Sequence, residues 1–321
     1  MQKRKLGSNG PGISVIGYGS WEAGGFGWGP DPGDDQTIDA IHAGIGAGIS
    51  WVDTAEIYGR GRSEELVGRA LEDHPDVLVF TKVAPKPSGS GFDADGIRRA
   101  VEGSLKRLKR DHLDLEQLHW RSDEVPVEET WAAMAAMKEE GLVRHIGVSN
   151  FDRELIERCE RVAHVDSLQP HFSLLHTRGR KDVLPFCKAN GTGIICYGPL
   201  AYGLLTGAIT DETEFGEDDW RSGKHRMEGY YDQFFAPAVF ERNLAIVEAL
   251  KPIADRLSIG LAQLALAWVF HQEGATGAIA GSRQPHHVEE NAAAGSIVLD
   301  AKDLEDIDAI LEEHGQPSLE I

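Results

Sequence analysis

The chain has 321 residues, of which 41% are hydrophobic and 26% charged, and its formal net charge is -20. So acidic a surface argues against nucleic-acid binding, which needs basic patches, and we predict no nucleic-acid partner. No apolar run approaches about 18 residues and none follows the N-terminus, so we predict no membrane span and no secretory signal. Three cysteines without a C-x-x-C motif predict packed thiols in a cytoplasmic protein.

The predicted elements alternate along the chain after an N-terminal β-hairpin over residues 2–14, where a turn-rich segment interrupts an alternating pattern. Eight strand-like runs follow at 15–18, 50–52, 77–81, 113–118, 143–148, 167–169, 193–197 and 277–280. Helical patterns occur at 36–46, 63–71, 95–108, 127–140, 153–161 and 181–189. Eight strand–helix units favour a closed (β/α)8 TIM barrel over an open doubly wound sheet. We predict one α/β barrel domain over residues 1–321.

The C-terminal third departs from simple alternation. A Gly-, Asp- and aromatic-rich stretch at 203–236 precedes two helical patterns, at 239–256 and 261–272. A loop of this length in a compact domain is usually functional or mobile. Residues 301–313 predict a terminal amphipathic helix with Asp300 as its N-cap. The predicted barrel therefore has extra helices near the C-terminus.

Four chemically active side chains fall at or just beyond the ends of three successive strands: Asp53, Tyr58, Lys82 and His119. In a parallel barrel those ends share one face, where catalytic groups sit. A free tyrosine has a pKa of about 10, and a nearby lysine ammonium favours the phenolate and lowers that pKa. A carboxylate would hold the lysine charged, and an imidazole would polarise a carbonyl. The set suits reduction of a carbonyl by a bound hydride donor.

Each of these four residues also has a purely structural interpretation: helix cap, packed aromatic, surface charge and satisfied core histidine, respectively. Their shared position at consecutive strand ends favours the functional interpretation. Two other kinds of site are disfavoured. The glycine-rich segments 24–29 and 44–48 do not lie between a strand and a helix, as a Rossmann fingerprint must. His119 has no partner at metal-ligand spacing, so we predict no metal site.

Four segments resemble motifs of the aldo-keto reductases: 48–59, 81–82, 114–119 and 141–151. The first reads Gly-Ile-Ser-Trp-Val-Asp-Thr-Ala-Glu-Ile-Tyr-Gly, and the last reads Gly-Leu-Val-Arg-His-Ile-Gly-Val-Ser-Asn-Phe. The motifs occur in the order of that family, and the resemblance extends from the hairpin to Asn291. It implies a (β/α)8 barrel that binds NAD(P)H in an extended pose at its C-terminal face, without a Rossmann unit.

The resemblance also implies roles for individual residues. The family's catalytic tetrad falls on the four strand-end residues, with Tyr58 as general acid. The residues implied to bind the cofactor are Gly19, Ser20 and Trp21 after the first strand, Ser149, Asn150 and Gln169 at the nicotinamide carboxamide, Tyr197 stacked on the nicotinamide ring, Gly198, Pro199, Leu200, Gly203 and Leu204 around the pyrophosphate, and Gly281, Ser282, Arg283, His287, Glu290 and Asn291 at the adenosine end. For Tyr197, a place in the barrel core is the alternative.

Aromatic residues on the same predicted face suggest where a substrate binds. Trp21, Phe26, Trp28 and Trp120 could form an aromatic wall, as in many small-molecule sites. Packing within a surface loop is the alternative for these residues. We predict Trp21, Trp28 and Trp120 as substrate-binding.

Two departures from the family pattern concern the ligands. Arg121 stands where the family often has proline, so no particular substrate follows from the resemblance. A lysine and an arginine that grip the 2′-phosphate in many relatives appear here as Gly281 and His287. The cations that remain nearby are Arg283 and, as alternatives, Arg178 or Lys181, and phosphate prefers charge-assisted donors. We predict that NADP(H) is preferred and that NAD(H) is possible.

The sequence as a whole predicts an NAD(P)H-dependent oxidoreductase that reduces an aldehyde or ketone to an alcohol. Its predicted partner is a small-molecule carbonyl substrate. One alternative is an aldose or alcohol dehydrogenase that uses the same residues in the oxidative direction. A second is a cofactor-binding regulatory subunit resembling potassium-channel β-subunits, and a third is a non-redox barrel enzyme. The sequence determines neither the substrate, the direction nor the oligomeric state.

Overall fold

A closed barrel of eight parallel strands forms the centre of the computed structural model, which describes residues 1–25, 27–223 and 229–315. The hairpin strands are β1 (Lys3–Lys5) and β2 (Gly12–Ser14), and the barrel strands are β3 (Ile16–Gly19), β4 (Trp51–Asp53), β5 (Leu78–Val83), β6 (Leu113–Leu118), β7 (Val143–Ser149), β8 (Ser167–Gln169), β9 (Gly193–Cys196) and β10 (Gly277–Ala280). The barrel strands pair in chain order, and β10 pairs with β3 to close the ring. The predicted (β/α)8 barrel is confirmed, and no strand boundary differs from its prediction by more than two residues.

The N-terminal hairpin closes the end of the barrel at which the strands begin. Its strands pair antiparallel, with Lys3 opposite Ser14, which confirms the predicted hairpin. Leu6 and Ile13 are fully buried and pack with Trp51 and other inward-facing side chains in the barrel interior. Because the hairpin closes the N-terminal end of the barrel with apolar side chains, polar groups can occupy the opposite, C-terminal end.

Helices cover the outside of the barrel. They are α1 (Asp34–Gly46), α2 (Arg62–Ala70), α3 (Ala94–Leu108), α4 (Val127–Glu139), α5 (Arg153–Glu160), α6 (Val183–Asn190), α7 (Tyr230–Phe234), α8 (Pro237–Leu257), α9 (Leu261–Phe270), α10 (Pro285–Ala293) and α11 (Ala301–His314). Sequence patterns predict all of them except α7 and α10. Asp300 caps α11 as predicted, because its carboxylate accepts a hydrogen bond from the Asp303 amide at 2.8 Å.

The long segment between β9 and α8 is attached to the loop that follows β3. It contains short 3-10 helices at Ala201–Thr206 and Trp220–Ser222 and then α7, while residues 224–228 lie outside the described part of the chain. Asp219 forms an isolated β-bridge with Trp28, and the Trp220 amide donates to the Gly27 carbonyl at 3.1 Å. The two loops therefore meet at the C-terminal end of the barrel.

Within the described ranges no single helix is long and apolar enough to cross a membrane. The pair α8 and α9, which is bent by 89°, has sufficient length and apolar composition only when the two are taken together. All three cysteines are described, and each is a buried free thiol, as predicted.

Candidate active site

The structure brings the four predicted catalytic side chains together at the C-terminal end of the barrel. Lys82 Nζ donates to Asp53 Oδ1 at 2.5 Å and lies 3.4 Å from the Tyr58 hydroxyl. The Tyr58 and His119 rings meet edge to face, with centroids 5.6 Å apart. A carboxylate, an ammonium, a phenol and an imidazole thus form one contiguous group.

Strand register explains this convergence. Asp53 is the last residue of β4 and pairs with Phe80, while Lys82 pairs with Gln117 on β6. Side chains alternate between the two faces of a strand, so Lys82 points inward like Phe80, two residues before it. By the same alternation, His119 follows Gln117 into the mouth of the barrel. Tyr58 begins a short 3-10 helix, Tyr58–Gly61, directly beyond β4.

The ion pair between Lys82 and Asp53 is almost fully buried, with the lysine 0% and the aspartate 3% exposed. Such a pair is costly unless its other polar atoms are also satisfied. Lys82 donates further to the Thr54 carbonyl at 2.8 Å, and Asp53 Oδ2 accepts from Gln169 Nε2 at 2.7 Å. Burial raises the pKa of Asp53 and lowers that of Lys82, and the charge of each partner opposes the effect. The hydrogen bonds hold the pair in one geometry.

Tyr58 is held as a neutral phenol. Burial raises its pKa well above the ordinary value of a tyrosine, and the negative charge of Asp53 adds to the effect. The direction is opposite to the sequence-based expectation that Lys82 lowers this pKa. Lys82 does lie close to the Tyr58 hydroxyl, but the cost of desolvating the phenolate is larger than the attraction between the phenolate and the lysine ammonium. At neutral pH, Tyr58 therefore carries a proton that it can donate.

His119 is a neutral imidazole. Burial and the nearby charge of Lys82 hold its pKa well below the usual range. The Trp120 ring stacks on it with a centroid distance of 3.9 Å and an interplanar angle of 2°. Its Nδ1 is buried and has no hydrogen-bond partner among the residues described. A neutral imidazole in this position can donate one hydrogen bond to an oxygen without transferring charge.

The residues implied to bind a carboxamide lie beside this group. Ser149 Oγ donates to the Gln169 carbonyl at 2.9 Å, at the adjoining ends of β7 and β8. Asn150 adopts a left-handed backbone with a φ of 60°. Its side-chain nitrogen donates to the His119 carbonyl at 3.0 Å, and its side-chain oxygen accepts from the Tyr197 hydroxyl at 2.7 Å. These amide and hydroxyl groups border the mouth of the barrel.

The segment after β9 presents its backbone in unusual conformations. Gly198 and Gly203 have φ values of 65° and 101°, which L side chains rarely adopt. Pro199 and Leu200 lie between them, and Leu204 is fully buried in the main core. Leu204 therefore exposes neither its side chain nor its backbone in this structure. Tyr197 is partly exposed, and it also packs against the interior cluster of the barrel.

Residues from the two ends of the barrel sheet meet where β3 lies beside β10. A Cβ on Gly281 would lie 2.4 Å from the Gly19 carbonyl oxygen, so the two glycines pack backbone to backbone. The Ser20 hydroxyl is used internally, donating to the Asp53 carbonyl at 2.8 Å. Arg283 Nη2 donates to the Trp28 carbonyl at 2.6 Å, while its Nη1 is buried without a partner in the described ranges.

The remaining residues of the implied adenosine end lie on or next to α10. Ser282 Oγ accepts from the Gln284 amide at 3.1 Å just before the helix. His287 and Glu290 are exposed on the helix, whereas Asn291 is buried. They lie on the same edge of the barrel as Gly281 and Arg283.

The predicted aromatic wall borders the four central side chains. Trp21 packs edge-on against Trp28 at 4.9 Å, and its ring lies 6.3 Å from that of Tyr58. Trp120 covers the His119 ring. Trp21 and Trp120 thus contact different members of the group, and Trp28 backs Trp21. Phe26 lies outside the described residues.

Gln117 and Tyr230 belong to the site but were not predicted. Gln117 lies 3.4 Å from Gln169 Nε2 through its side-chain oxygen, and its position two residues before His119 on the same strand could have identified it. Tyr230, on α7, places its hydroxyl 3.0 Å from that of Tyr197. No local pattern identifies Tyr230, because it reaches the site only through the fold of the long segment after β9.

The arrangement combines a proton donor, a neutral hydrogen-bond donor and a fixed cation at one end of the barrel. It can deliver a proton to a carbonyl oxygen and stabilise the charge that remains on the phenol oxygen. In the described ranges, no group of three or more His, Cys, Asp or Glu side chains is placed to hold a metal ion.

Known proteins share this sequence and fold. The model of the Aldo/keto reductase family matches residues 15–312. The chain is similar to the aldo-keto reductase YhdN of Bacillus subtilis (strain 168), with 35% identity over 97% of this chain and 94% of the relative. It is also similar to an NADH-specific methylglyoxal reductase of Escherichia coli (strain K12), with 32% identity over 94% and 96% of the two chains.

Two solved structures show the same architecture. The glycerol dehydrogenase of Gluconobacter oxydans superposes with a TM-score of 0.86 at 31% identity, over 99% of both chains. An aldo/keto reductase of Klebsiella pneumoniae in complex with NADP and acetate superposes with a TM-score of 0.74 at 30% identity, over 99% of this chain and 98% of the other.

Proposed function

The chain belongs to the aldo/keto reductase family, and on that premise we propose that it is an NAD(P)H-dependent reductase that converts an aldehyde or ketone into an alcohol, with Tyr58 as general acid. One observation supports this most directly. A buried Lys82–Asp53 ion pair lies beside a neutral phenol and a neutral imidazole. The raised pKa of Tyr58 and the lowered pKa of His119 keep the phenol protonated and the imidazole neutral, as this proposal requires.

The residues around this group fit a nicotinamide dinucleotide. We propose that Ser149, Asn150 and Gln169 bind the carboxamide and that Tyr197 contacts the ring. Gly198 and Gly203, with their positive φ angles, let the backbone approach a pyrophosphate closely. At the β3–β10 edge, the unpartnered Nη1 of Arg283 is a donor that an anionic group would satisfy. The bound nucleotide supplies the hydride for the reduction.

Tyr58 donates its proton to the oxygen of the reduced carbonyl in this proposal. Its raised pKa keeps it protonated in the resting enzyme. Once the proton has left, the ammonium of Lys82, 3.4 Å away, stabilises the phenolate. Asp53 keeps that ammonium charged and oriented. The lysine therefore acts after proton transfer, rather than by lowering the resting pKa.

His119 orients the substrate in this proposal. Because its pKa is lowered, it is a neutral hydrogen-bond donor to the carbonyl oxygen at neutral pH. Trp120 locks the plane of the imidazole by stacking. Trp21, on the Tyr58 side, gives the site an apolar wall that suits a small carbonyl compound.

We propose that NADP(H) is the preferred nucleotide and that NAD(H) is accepted. The complex of the Klebsiella relative with NADP supports the first part, and the name of the NADH-specific Escherichia coli relative supports the second. Arg283 is the side chain most able to bind a 2′-phosphate, but one of its amino groups is already engaged by the Trp28 carbonyl. Because the Arg283 guanidinium is shared with the Trp28 carbonyl, we expect a moderate rather than an absolute preference for NADP(H) over NAD(H).

The nucleotide site can be tested by titrating the protein with NADPH and with NADH while following tryptophan fluorescence. Trp21 and Trp28 adjoin the proposed site, so saturable quenching is expected with both, and more tightly with NADPH. Steady-state assays with methylglyoxal and glyceraldehyde then test reduction. If neither NADPH nor NADH binds saturably, the proposed function is refuted.

Oxidation by the same residues is the second candidate. The structural similarity to a glycerol dehydrogenase favours it, since Tyr58 as phenolate would accept the proton that it donates in reduction. Rates with glycerol and NADP+ or NAD+ should be compared with the reductive rates at the same pH. A faster oxidative reaction at neutral pH would assign the chain to that direction.

A further inference from the structure

Three rings form a stack behind the proposed nicotinamide site. His171 is parallel to Tyr197, with a centroid distance of 4.9 Å and an angle of 11°. His176 stacks on His171, with a distance of 4.3 Å and an angle of 18°. The order of the rings is therefore His176, His171, Tyr197.

The backbone dictates this stack. His171 and Tyr197 form a parallel β-bridge just beyond the ends of β8 and β9. The Tyr197 amide donates to the Pro170 carbonyl at 3.0 Å, and the Phe172 amide donates to the Tyr197 carbonyl at 3.1 Å. Residues paired in this way lie about 4.8 Å apart and point to the same side of the sheet. The separation of the two rings is thus that of two adjacent strands.

The surroundings keep His171 uncharged and fixed. Burial holds its pKa well below the usual range, and the same cause lowers the pKa of His176 to about 4. Tyr230 and Phe234 from α7 pack around the His171 ring at centroid distances of 5.9 and 5.4 Å. A Cβ on Gly198 would come within 2.7 Å of His171 Nε2, so the imidazole also lies against the first glycine of the turn after Tyr197.

Tyr197 is held at two places. Its hydroxyl donates to Asn150 Oδ1 at 2.7 Å, which anchors the tip of the ring. His171 covers one face and thereby sets the plane of the ring. Because Tyr197 is partly exposed, some of its ring surface is available to a ligand.

We propose that His171 is a positioning residue that fixes the plane of Tyr197 for stacking against the nicotinamide ring. The inference rests on the proposed function. His171 acts through its flat aromatic surface, not through proton transfer. A phenylalanine should therefore replace it, whereas an aliphatic side chain of similar size should not.

The matched variants H171F and H171L test this difference. H171L should weaken NADPH binding roughly two- to tenfold, the range that corresponds to the loss of one aromatic pair, and H171F should bind within about twofold of wild type. The affinity is measured by fluorescence titration, with circular dichroism to confirm folding. If H171L and H171F both fold and bind NADPH equally well, the proposal is overturned. A loss of affinity in H171F would also overturn it, and this result can be obtained even if H171L does not fold.

A double-mutant cycle with Tyr197→Ala distinguishes positioning from a general packing defect. If His171 acts through Tyr197, H171L should have no further effect on affinity once Tyr197 is removed. Additive losses would overturn the proposal. His164→Leu is a control, because His164 is also a partly buried histidine but pairs with Glu160 on α5. The NADPH affinity of this variant should match that of the wild type. Failure of the wild-type protein to bind any nucleotide would refute the proposed function itself.

Discussion

Lys82 shows how one residue combines stability and chemistry. A fully buried ammonium is tolerated because Asp53 and the Thr54 carbonyl satisfy it. Removing either charge would leave the other buried and unpaired. The same arrangement keeps a cation at a fixed distance from the Tyr58 hydroxyl, where new negative charge is expected.

Replacing Tyr58 by phenylalanine removes the proposed proton and keeps the ring. We expect Y58F to lower turnover roughly 10²–10⁴-fold, the usual contribution of general acid catalysis. Nucleotide affinity should change little, because the ring still packs beside Trp21 and His119. The variant is to be compared with wild type in steady-state kinetics and in NADPH titration. Wild-type turnover in Y58F would remove this residue from the mechanism.

Glu116 is another buried ionisable residue. It is 0% exposed on β6, and neither carboxylate oxygen has a hydrogen-bond partner within the described ranges. The cations that favour its ionisation are Lys82 and Arg107, and both are already paired, Lys82 with Asp53 and Arg107 with Glu64 at 2.6 Å. Burial, with Glu64 adding to it, raises the pKa of Glu116 well above its ordinary value. Glu116 therefore keeps its proton up to a higher pH than an exposed glutamic acid does.

This raised pKa predicts a pH dependence of stability. The contribution of neutral Glu116 is complete below its ordinary pKa and is lost as the pH rises through its higher folded pKa. Glu116→Gln cannot ionise, so its stability relative to wild type should increase with pH, by at most about 1.4 kcal/mol per pH unit. Thermal unfolding between pH 5 and 9 measures this difference. Glu65→Gln, at an exposed position on α2, should show no such trend; a difference between E116Q and wild type that does not change with pH would contradict the prediction.

At the scale of elements, the contact between β3 and β10 both closes the barrel and forms the proposed adenosine end of the site. Gly19 and Gly281 approach each other where these strands end. Only residues without a Cβ allow so close a contact of backbones. The same edge carries Arg283, which ties β10 to the Trp28 loop.

Gly281→Ala should disturb this contact. The added Cβ meets a backbone oxygen that cannot rotate away, and overpacking of this kind typically costs about 1–3 kcal/mol. Lower thermal stability and weaker nucleotide binding are both expected. Gly12→Ala on β2 is the matched control, since its Cβ would meet nothing within 4 Å. If the two variants were equally stable, the tight β3–β10 contact would not matter for stability.

For the whole molecule, the two ends of the barrel have different tasks. The hairpin and the interior cluster around Trp51 close the end where the strands begin. The polar side chains, the aromatic wall and the two joined loops occupy the other end. This division is typical of the fold, in which the C-terminal ends of the strands and the loops beyond them carry the chemistry. That residues 1–321 form one domain remains a prediction.

Local sequence determined the strands and the identity of the four central residues. Barrel strands are covered on both sides, so they read as short apolar runs, and the polar residues at their ends are conspicuous. Asp300 was equally recognisable as a cap. The helix α10 was missed although Pro285 at its first turn is a usual start signal. Its helical pattern is short and gives little periodicity.

Only the tertiary structure decided the protonation of Tyr58 and the surroundings of Tyr197. The pKa of Tyr58 depends on how much water the folded chain excludes from the phenol. The rise caused by this desolvation is larger than the lowering that the sequence predicts from Lys82. Tyr230 and His171 reach Tyr197 through contacts between segments that are 33 and 26 residues away along the chain. A local sequence pattern predicts which residues can be buried, but it does not predict which side chains from distant segments will pack against them.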